Sequence, residues 1–436
     1  MDLVTQQPFT ELRDDMPYRA DERPTTREKT MTVNITLPPT HQPYLESGPL
    51  PADFYAYEDL LSDSEREKIS RIREFFRTEA MPIVDDYWAR AEFPFELVKG
   101  FGQLGLLDWA DPDSPESPPS NLLTGITSME LAHADPSLSV FFGVHSGLAM
   151  GTIITCGSEE QKRRWLPAMS RFEKIGAFAL TEPHGGSDVA GGMETTARRD
   201  GDEWVINGAK RWIGNATFAD VVVVWARDVG TNQVMGFVVE KGTPGFTATK
   251  IENKFALRIV QNADIVLDEC RVPEANRLQH ANSFRDTAEI LRRTRSGVAW
   301  QSVGVQFAAY EIALEYAKER TQFGRPIGKF QMVQDLLVKM LGNATACAGM
   351  MTRLAQLQHE GVYRDEQSAL AKAYCTSRMR ETVHWARELL GGNGIVLDYN
   401  IGRFVADSEA LYSYEGTREM QTLIVGKSVT GLSAFV

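Results

Sequence analysis

Residues 175–188 read Ile-Gly-Ala-Phe-Ala-Leu-Thr-Glu-Pro-His-Gly-Gly-Ser-Asp, and the character of the chain changes there. The apolar run 175–180 opens into a Gly-rich loop, 181–188, the pattern of a strand end that exposes backbone amides and hydroxyls to a ligand. Standing alone, the loop would be read as a plain turn. Downstream, residues 204–207, 221–226, 236–240 and 263–272 are short β-branched runs bounded by Gly, Asp, Asn or Pro. They predict an antiparallel sheet domain over residues 174–282. Upstream the pattern is helical. Ser62 and Glu65 form a capping box, Ile69, Ile72 and Phe76 recur at helical spacing, and a helical domain is expected over residues 53–173. Beyond 283 helices resume. Val333, Leu337, Met340, Ala344, Cys347, Met351 and Leu354 step by four and three, the seam of a packed helix rather than a cofactor contact, and Val305, Ala309, Ile312 and Tyr316 repeat the pattern in the preceding helix. The expected fold is mainly α with a β-barrel middle domain, closed by a four-helix bundle over residues 283–436. Residues 1–52, polar and rich in Pro and Thr, are expected to form a flexible extension.

Bulk properties exclude several classes. The chain has 436 residues, 43% apolar and 24% charged, ordinary for a globular protein, and its formal net charge of −13 argues against a nucleic-acid partner. Cys156, Cys270, Cys347 and Cys375 make no CxxC pair, and seven scattered histidines include no HExxH, so neither a disulfide framework nor a metal site is expected. No uninterrupted apolar run reaches bilayer length, the first fifty residues lack a signal-peptide stretch, and the chain ends in Ala-Phe-Val rather than a peroxisomal address. No membrane partner and a cytoplasmic location are therefore expected. Neither the 181–188 loop nor Gly391-Gly-Asn-Gly394 matches GxGxxG between a strand and a helix, so a nicotinamide-binding unit is not supported.

The run Tyr414-Glu-Gly-Thr417 bears on chemistry. Thr417 is placed to cap a helix over residues 418–430, which fixes the lone carboxylate of Glu415 beside a helix N-terminus. Such a carboxylate is a candidate base for a carbon-bound proton; the alternative is that it merely favours the helix dipole, and the run alone does not decide.

Residues 180–188, 212–215, 320–324, 389–394 and 414–417 occur in an order and at a spacing that resemble the acyl-CoA dehydrogenases, over residues 55–435. The chain looks closest to the branch of glutaryl-CoA dehydrogenase and the plant short-chain acyl-CoA oxidase. That resemblance implies helical, β and helical domains and an FAD cofactor. Phe178, Leu180, Thr181 and Ser187 match residues that meet the flavin, Ser187 also the CoA moiety, while Trp212 matches the indole against the isoalloxazine, followed by Ile213 and Gly214. Arg320, Gln322, Phe323, Phe330 and Gln331 match positions that reach FAD across a subunit interface. Leu390, Gly391 and Gly392 match a phosphate cradle, and Gly416, Thr417 and Glu419 border the cofactor. Glu415 matches the family base, with Arg295 and Tyr414 beside the substrate. The implied reaction removes the α-proton of an acyl-CoA to Glu415 while hydride leaves the β-carbon for the flavin. The implied partners are an electron-transferring flavoprotein and three further copies of the chain, a homotetramer built as a dimer of dimers.

Two departures refine this expectation. Ser139 stands where the glutaryl-CoA enzymes carry an arginine for the distal carboxylate, and Gly143 where they carry a serine. A monocarboxylic acyl group, lodged near Val140, Phe141 and Phe142, is therefore expected. Gly214 stands where most dehydrogenases carry a threonine, as it does in the plant oxidase, so an oxidase passing electrons to oxygen is the alternative. A glutaryl-CoA dehydrogenase or a non-catalytic scaffold are others; the intact 414–417 run argues against the scaffold.

Overall fold

The computed structural model describes residues 50–435. Ser62 caps α1 (Asp63–Phe75), its backbone N–H donating to Glu65 Oε2 at 2.9 Å in the expected capping box. A π-helical turn, Phe76–Ala80, leads into α2 (Met81–Arg90), followed by α3 (Glu96–Gln103), α4 (Asn121–Ala134) and α5 (Pro136–Gly143). A second π-helical turn, Val144–Met150, continues into α6 (Gly151–Cys156) and α7 (Glu159–Ser170). The packed chain begins slightly earlier than expected, because Leu50 and Ala52 are buried and Ala52 N–H donates to Glu311 Oε1 at 3.2 Å, whereas Phe54 is exposed. Residues 1–49 of the expected extension lie outside the described residues. The stretch Pro136–Cys156 is, among the described residues, long and apolar enough on average to cross a bilayer, although Ser137, Ser139, His145 and Ser146 interrupt its apolar run. Here its first turns, from Pro136 to Phe142, are buried within the protein.

The middle domain holds β1 (Gly176–Ala179), β2 (Thr196–Asp200), β3 (Glu203–Ile213), β4 (Val221–Asp228), β5 (Val234–Glu240), β6 (Phe246–Lys250) and β7 (Ala263–Pro273). They form one sheet of order β1-β4-β2-β3-β7-β6, with β5 on the far side of β4, curled as a half-barrel rather than closed. The sheet is also not wholly antiparallel. β1 and β2 both run parallel to β4, which the long excursion between β1 and β4 permits. Alternation along β4 divides its work: Val221 and Val223 join the large core under the helices, while Val222 and Val224 join a second core inside the curl.

The third domain begins with the long α8 (Phe284–Glu319), then a hairpin of β8 (Thr321–Gln322) and β9 (Arg325–Pro326), then α9 (Gln331–His359), α10 (Asp365–Leu389), α11 (Ile401–Ser413) and α12 (Arg418–Thr430). α8, α9 and α10 pack on one another, and α4 of the first domain lies along α8. That last contact is very close. A Cβ at Gly304 of α8 would stand 2.0 Å from Met129 O, and one at Gly125 of α4 would stand 2.2 Å from Trp300 Nε1. The expected seam on α9 is buried from Met340 onward, whereas Val333 and Leu337 are half-buried beside exposed Met332 and Val338.

A buried ionic cluster ties the domains together around the site. Arg403 of α11 pairs with Asp135, which caps α5, and with Asp85 of α2. Asp407, one turn on, accepts from Ser137 Oγ at 2.9 Å, Trp88 Nε1 at 3.1 Å and Leu257 N at 2.6 Å. Losing one partner of such a group would strand a charge in the core, so the cluster holds α5, α11 and the 254–260 loop in fixed relation.

Candidate active site

A cavity of about 1670 Å³ opens where α5, the Val144–Met150 turn, β1, the end of β3 and the first half of α8 meet the loop between α11 and α12. That loop carries the candidate base. Thr417 caps α12 as the sequence predicts, its Oγ1 accepting from Met420 N at 3.3 Å. Glu415 sits just before it in the left-handed region, φ 57°, and Gly416 follows at φ 83°. Two consecutive left-handed residues turn the chain sharply enough to aim the carboxylate into the cavity; such strain in a non-glycine residue persists only where its surroundings hold it.

The holding group is Lys372 of α10, fully buried, which sequence reasoning missed. Its Nζ donates to the carbonyls of Tyr412 at 3.2 Å, Tyr414 at 2.7 Å and Gly416 at 2.6 Å. Gln421 adds Nε2 donations to Glu415 O and Gly416 O, both at 3.1 Å. Neither was legible without a fold, since nothing local marks a helical Lys 43 residues upstream as a partner of this loop. Burial lowers the Lys372 pKa to about 8. Although the Glu415 side chain borders cavity space, it is surrounded by protein, and this burial pushes its carboxyl above the ordinary carboxylate value. The hydroxyl of Thr294 on α8, which donates to Glu415 Oε1, works in the opposite direction, as do the charges of Arg295 and Lys372.

Arg295 lines the cavity as expected, but its guanidinium pairs with Asp365 Oδ1 at 2.5 Å and so is not an idle cation. Tyr414 OH donates to Gln301 Oε1 at 2.7 Å, and Gln301 Nε2 donates to Ser139 Oγ at 3.1 Å. Ser139 and Phe142 line the cavity from α5, with Val140 and Gly143. Phe141, grouped with them from the sequence, instead faces the aromatic core beside Phe93 and Phe101.

On the opposite wall, Phe178, Leu180, Thr181 and Ser187 line the cavity together with Trp212, Ile213 and Gly214. The 181–188 loop is anchored by Glu182, whose carboxylate accepts from Thr195 N and from Lys210 Nζ, both at 2.9 Å. Trp212 has φ 67° and stands half-exposed on the wall with the Arg211 guanidinium 4.8 Å over its ring. Asn215, φ 66° and buried, pins this turn by donating to Phe141 O and Gly176 O. These residues fit a flat ring cofactor: an indole face, a threonine hydroxyl and, at Gly186, a backbone with nothing within 4 Å of an added Cβ.

Gly416 and Thr417 line the cavity as well, but the other expected cofactor residues are not brought to it within one chain. Arg320, Gln322, Phe323 and Gln331 are exposed around the β8–β9 hairpin, Phe330 is half-buried there, and Glu419 is exposed on α12. Leu390 is buried while Gly391 and Gly392 are exposed in the 3₁₀ turn after α10, which is tied to the end of α8 by the Asn393 Nδ2 donation to Tyr316 OH at 3.0 Å. Among the described residues no three His, Cys, Asp or Glu side chains converge as a metal site.

Three family models match the chain in order: acyl-CoA dehydrogenase N-terminal domain over residues 62–173, middle domain over 177–270 and C-terminal domain over 284–430. An acyl-CoA dehydrogenase of Bacillus subtilis is 34% identical, over 83% of this chain and 96% of that protein. The mitochondrial short-chain specific acyl-CoA dehydrogenase of Mus musculus is also 34% identical, over 81% of this chain and 87% of its own. The crystal structure of a glutaryl-CoA dehydrogenase from Mycobacterium smegmatis in complex with FADH2 superimposes with a TM-score of 0.85 at 34% identity, covering 89% of this chain and all of that one.

Proposed function

The chain belongs to the acyl-CoA dehydrogenase family, and from that premise we propose that it oxidises a short- to medium-chain acyl-CoA to the trans-2-enoyl-CoA, with FAD as cofactor and Glu415 as base. The observation that carries this reading is the carboxylate of Glu415, aimed into the cavity by a left-handed turn that Lys372 clamps from beneath.

FAD, when bound, supplies the two-electron acceptor; Phe178, Thr181, Trp212 and the 212–214 backbone would hold its ring system. The chain's own residues handle the proton. An α-proton is too weakly acidic for an ordinary carboxylate, so the base needs a raised affinity for protons and the developing enolate needs donors. Burial supplies the first. The Glu415 backbone N–H, which has no backbone acceptor among the described residues, is available for the second. Thr294 and Lys372 keep the carboxylate from being neutralised outright, since both favour its anion. Anaerobic addition of butyryl-CoA should bleach the flavin of the purified enzyme; a flavin that stays oxidised with every saturated acyl-CoA from four carbons upward would refute the reading.

Because the carboxylate must be ionised to accept a proton, flavin reduction should fall on acidification, with a midpoint above the ordinary value of 4.5. Thr294→Val deletes a hydrogen bond to the anion, so its acid limb should move to still higher pH. Stopped-flow pH profiles of the two proteins check this; coincident profiles would show that Thr294 does not touch the working base.

The acceptor of the electrons is proposed to be an electron-transferring flavoprotein. Gly214 favours oxygen as a second reading: an added Cβ there would lie 3.3 Å from Val144 Cγ2, so the neighbouring wall is apolar. Reoxidation of substrate-reduced enzyme by air separates the two, rapid turnover without added carrier marking an oxidase. The exposure of Arg320, Phe323 and Gln331, with Phe323 93% exposed, supports the reading that they reach a neighbouring copy. We expect at least a dimer, completed as a dimer of dimers, in light scattering; a monomer with a full complement of FAD would contradict it.

A further inference from the structure

We propose that Lys254 is a positioning residue for the flavin wall: acting through the amide of Asn262, it holds the strained turn that carries the Trp212 indole. The proposal rests on the reading of FAD as cofactor. In the ladder between β3 and β7, Lys210 pairs with Ile265 and Ile213 with Ala263, so Arg211 and Trp212 together stand opposite Asp264 alone. Such a bulge disrupts the regular pairing and re-aims a side chain. Trp212 sits in it at φ 67° and half-exposed, so its backbone conformation works against the turn and burial secures the indole only in part. Asn215 pins one end of the turn. The other end is held from the loop between β6 and β7.

The Trp212 carbonyl accepts from Asn262 Nδ2 at 3.2 Å. An amide can present either end to a neighbour, and Lys254 decides which. Its ammonium, a donor with no acceptor, lies 2.5 Å from Asn262 Oδ1 and draws the amide oxygen to itself, which turns the NH2 toward Trp212. Its other two donations go to Leu257 O at 2.8 Å and Val260 O at 2.7 Å. All three N–H groups are thereby used, and the loop is gathered around the ammonium. Ile251 N–H closes the base of the loop by donating to Asn262 O at 2.8 Å, and Leu257 N–H ties its far side to α11 by donating to Asp407 Oδ1 at 2.6 Å. Residues 251–257 line the cavity, as Trp212 does. Without the ammonium, three oxygens would share one small space with no donor, and the amide would lose its reason to face Trp212.

The test titrates the full-length apoprotein with FAD and records the emission of the bound flavin, which an indole lying against the isoalloxazine quenches. Lys254→Met, which keeps the length of the side chain without its donors, should weaken FAD binding roughly tenfold, the scale of one hydrogen bond, and raise the emission of bound flavin severalfold. Asn262→Ala leaves the ammonium in place and should reproduce both changes, so the test stands even where the Met variant does not fold. A double-mutant cycle identifies the route. On a Trp212→Ala background Lys254→Met should cost less FAD affinity than it does in the wild type, because the residue it acts through has already been cut back. Wild-type affinity and emission in either folded variant would overturn the proposal, and so would fully additive losses in the cycle, the mark of a loop that is merely loosened. Wild-type apoprotein that takes up no FAD refutes the cofactor reading itself, a failure distinct from that of the positioning role.

Discussion

Glu415→Gln should still fold, take up FAD and bind acyl-CoA, but reduce its flavin roughly 10²–10⁴-fold more slowly, the range that a positioned acid or base contributes. Glutamine keeps the shape, and the Thr294 hydroxyl that donates to Glu415 Oε1 can donate equally to an amide oxygen. The Lys372 clamp acts on the backbone carbonyls of Tyr414 and Gly416, so it does not depend on the side-chain charge. What disappears is the lone pair that accepts the α-proton. The loss should therefore fall on kcat with little change in the binding of a non-oxidisable thioether, the signature of an interaction made in the transition state. Reduction within tenfold of wild type would remove Glu415 from the role and direct attention to another group on the cavity wall.

Glutaryl-CoA should be a poor substrate, by orders of magnitude in kcat/KM relative to butyryl-CoA, despite the structural likeness to a glutaryl-CoA dehydrogenase. Its distal carboxylate would arrive among Ser139, Phe142 and Gly143, where Ser139 Oγ already receives Gln301 Nε2. The cavity does hold Arg295, but Asp365 already neutralises it. A carboxylate brought there sheds its water without gaining a fixed cation, at a cost of several kcal/mol. Ser139→Arg, with the cavity to extend into, should recover part of the rate. Faster turnover of glutaryl-CoA than of butyryl-CoA, or release of carbon dioxide from it, would mean that the acyl chain enters the cavity by another path.

Sequence reading succeeded where structure is local. The capping box at Ser62 and the Thr417 cap are four-residue features, and both stand where expected because a cap needs only its own turn. The strands β2 and β6 escaped notice because Thr-Ala-Arg-Arg-Asp and Phe-Thr-Ala-Thr-Lys bury too few side chains to mark a strand. The parallel pairing on β4 is a matter of topology and leaves no mark in periodicity. At the site, Glu415 and Trp212 were legible through resemblance. Lys372, Thr294 and Gln301 were not: each acts through a partner 42 to 162 residues away, and only the packing of α8 and α10 against the loop of the base brings them together.

With α4 pressed onto α8 at Gly125 and Gly304, closer than any side chain would allow, neither helix can slide to lengthen or shorten the pocket without a clash of backbone. Any change in the depth of the cavity is thereby left to the residues that line it, such as those at 139, 143 and 301, while the two helix backbones act as a fixed jig.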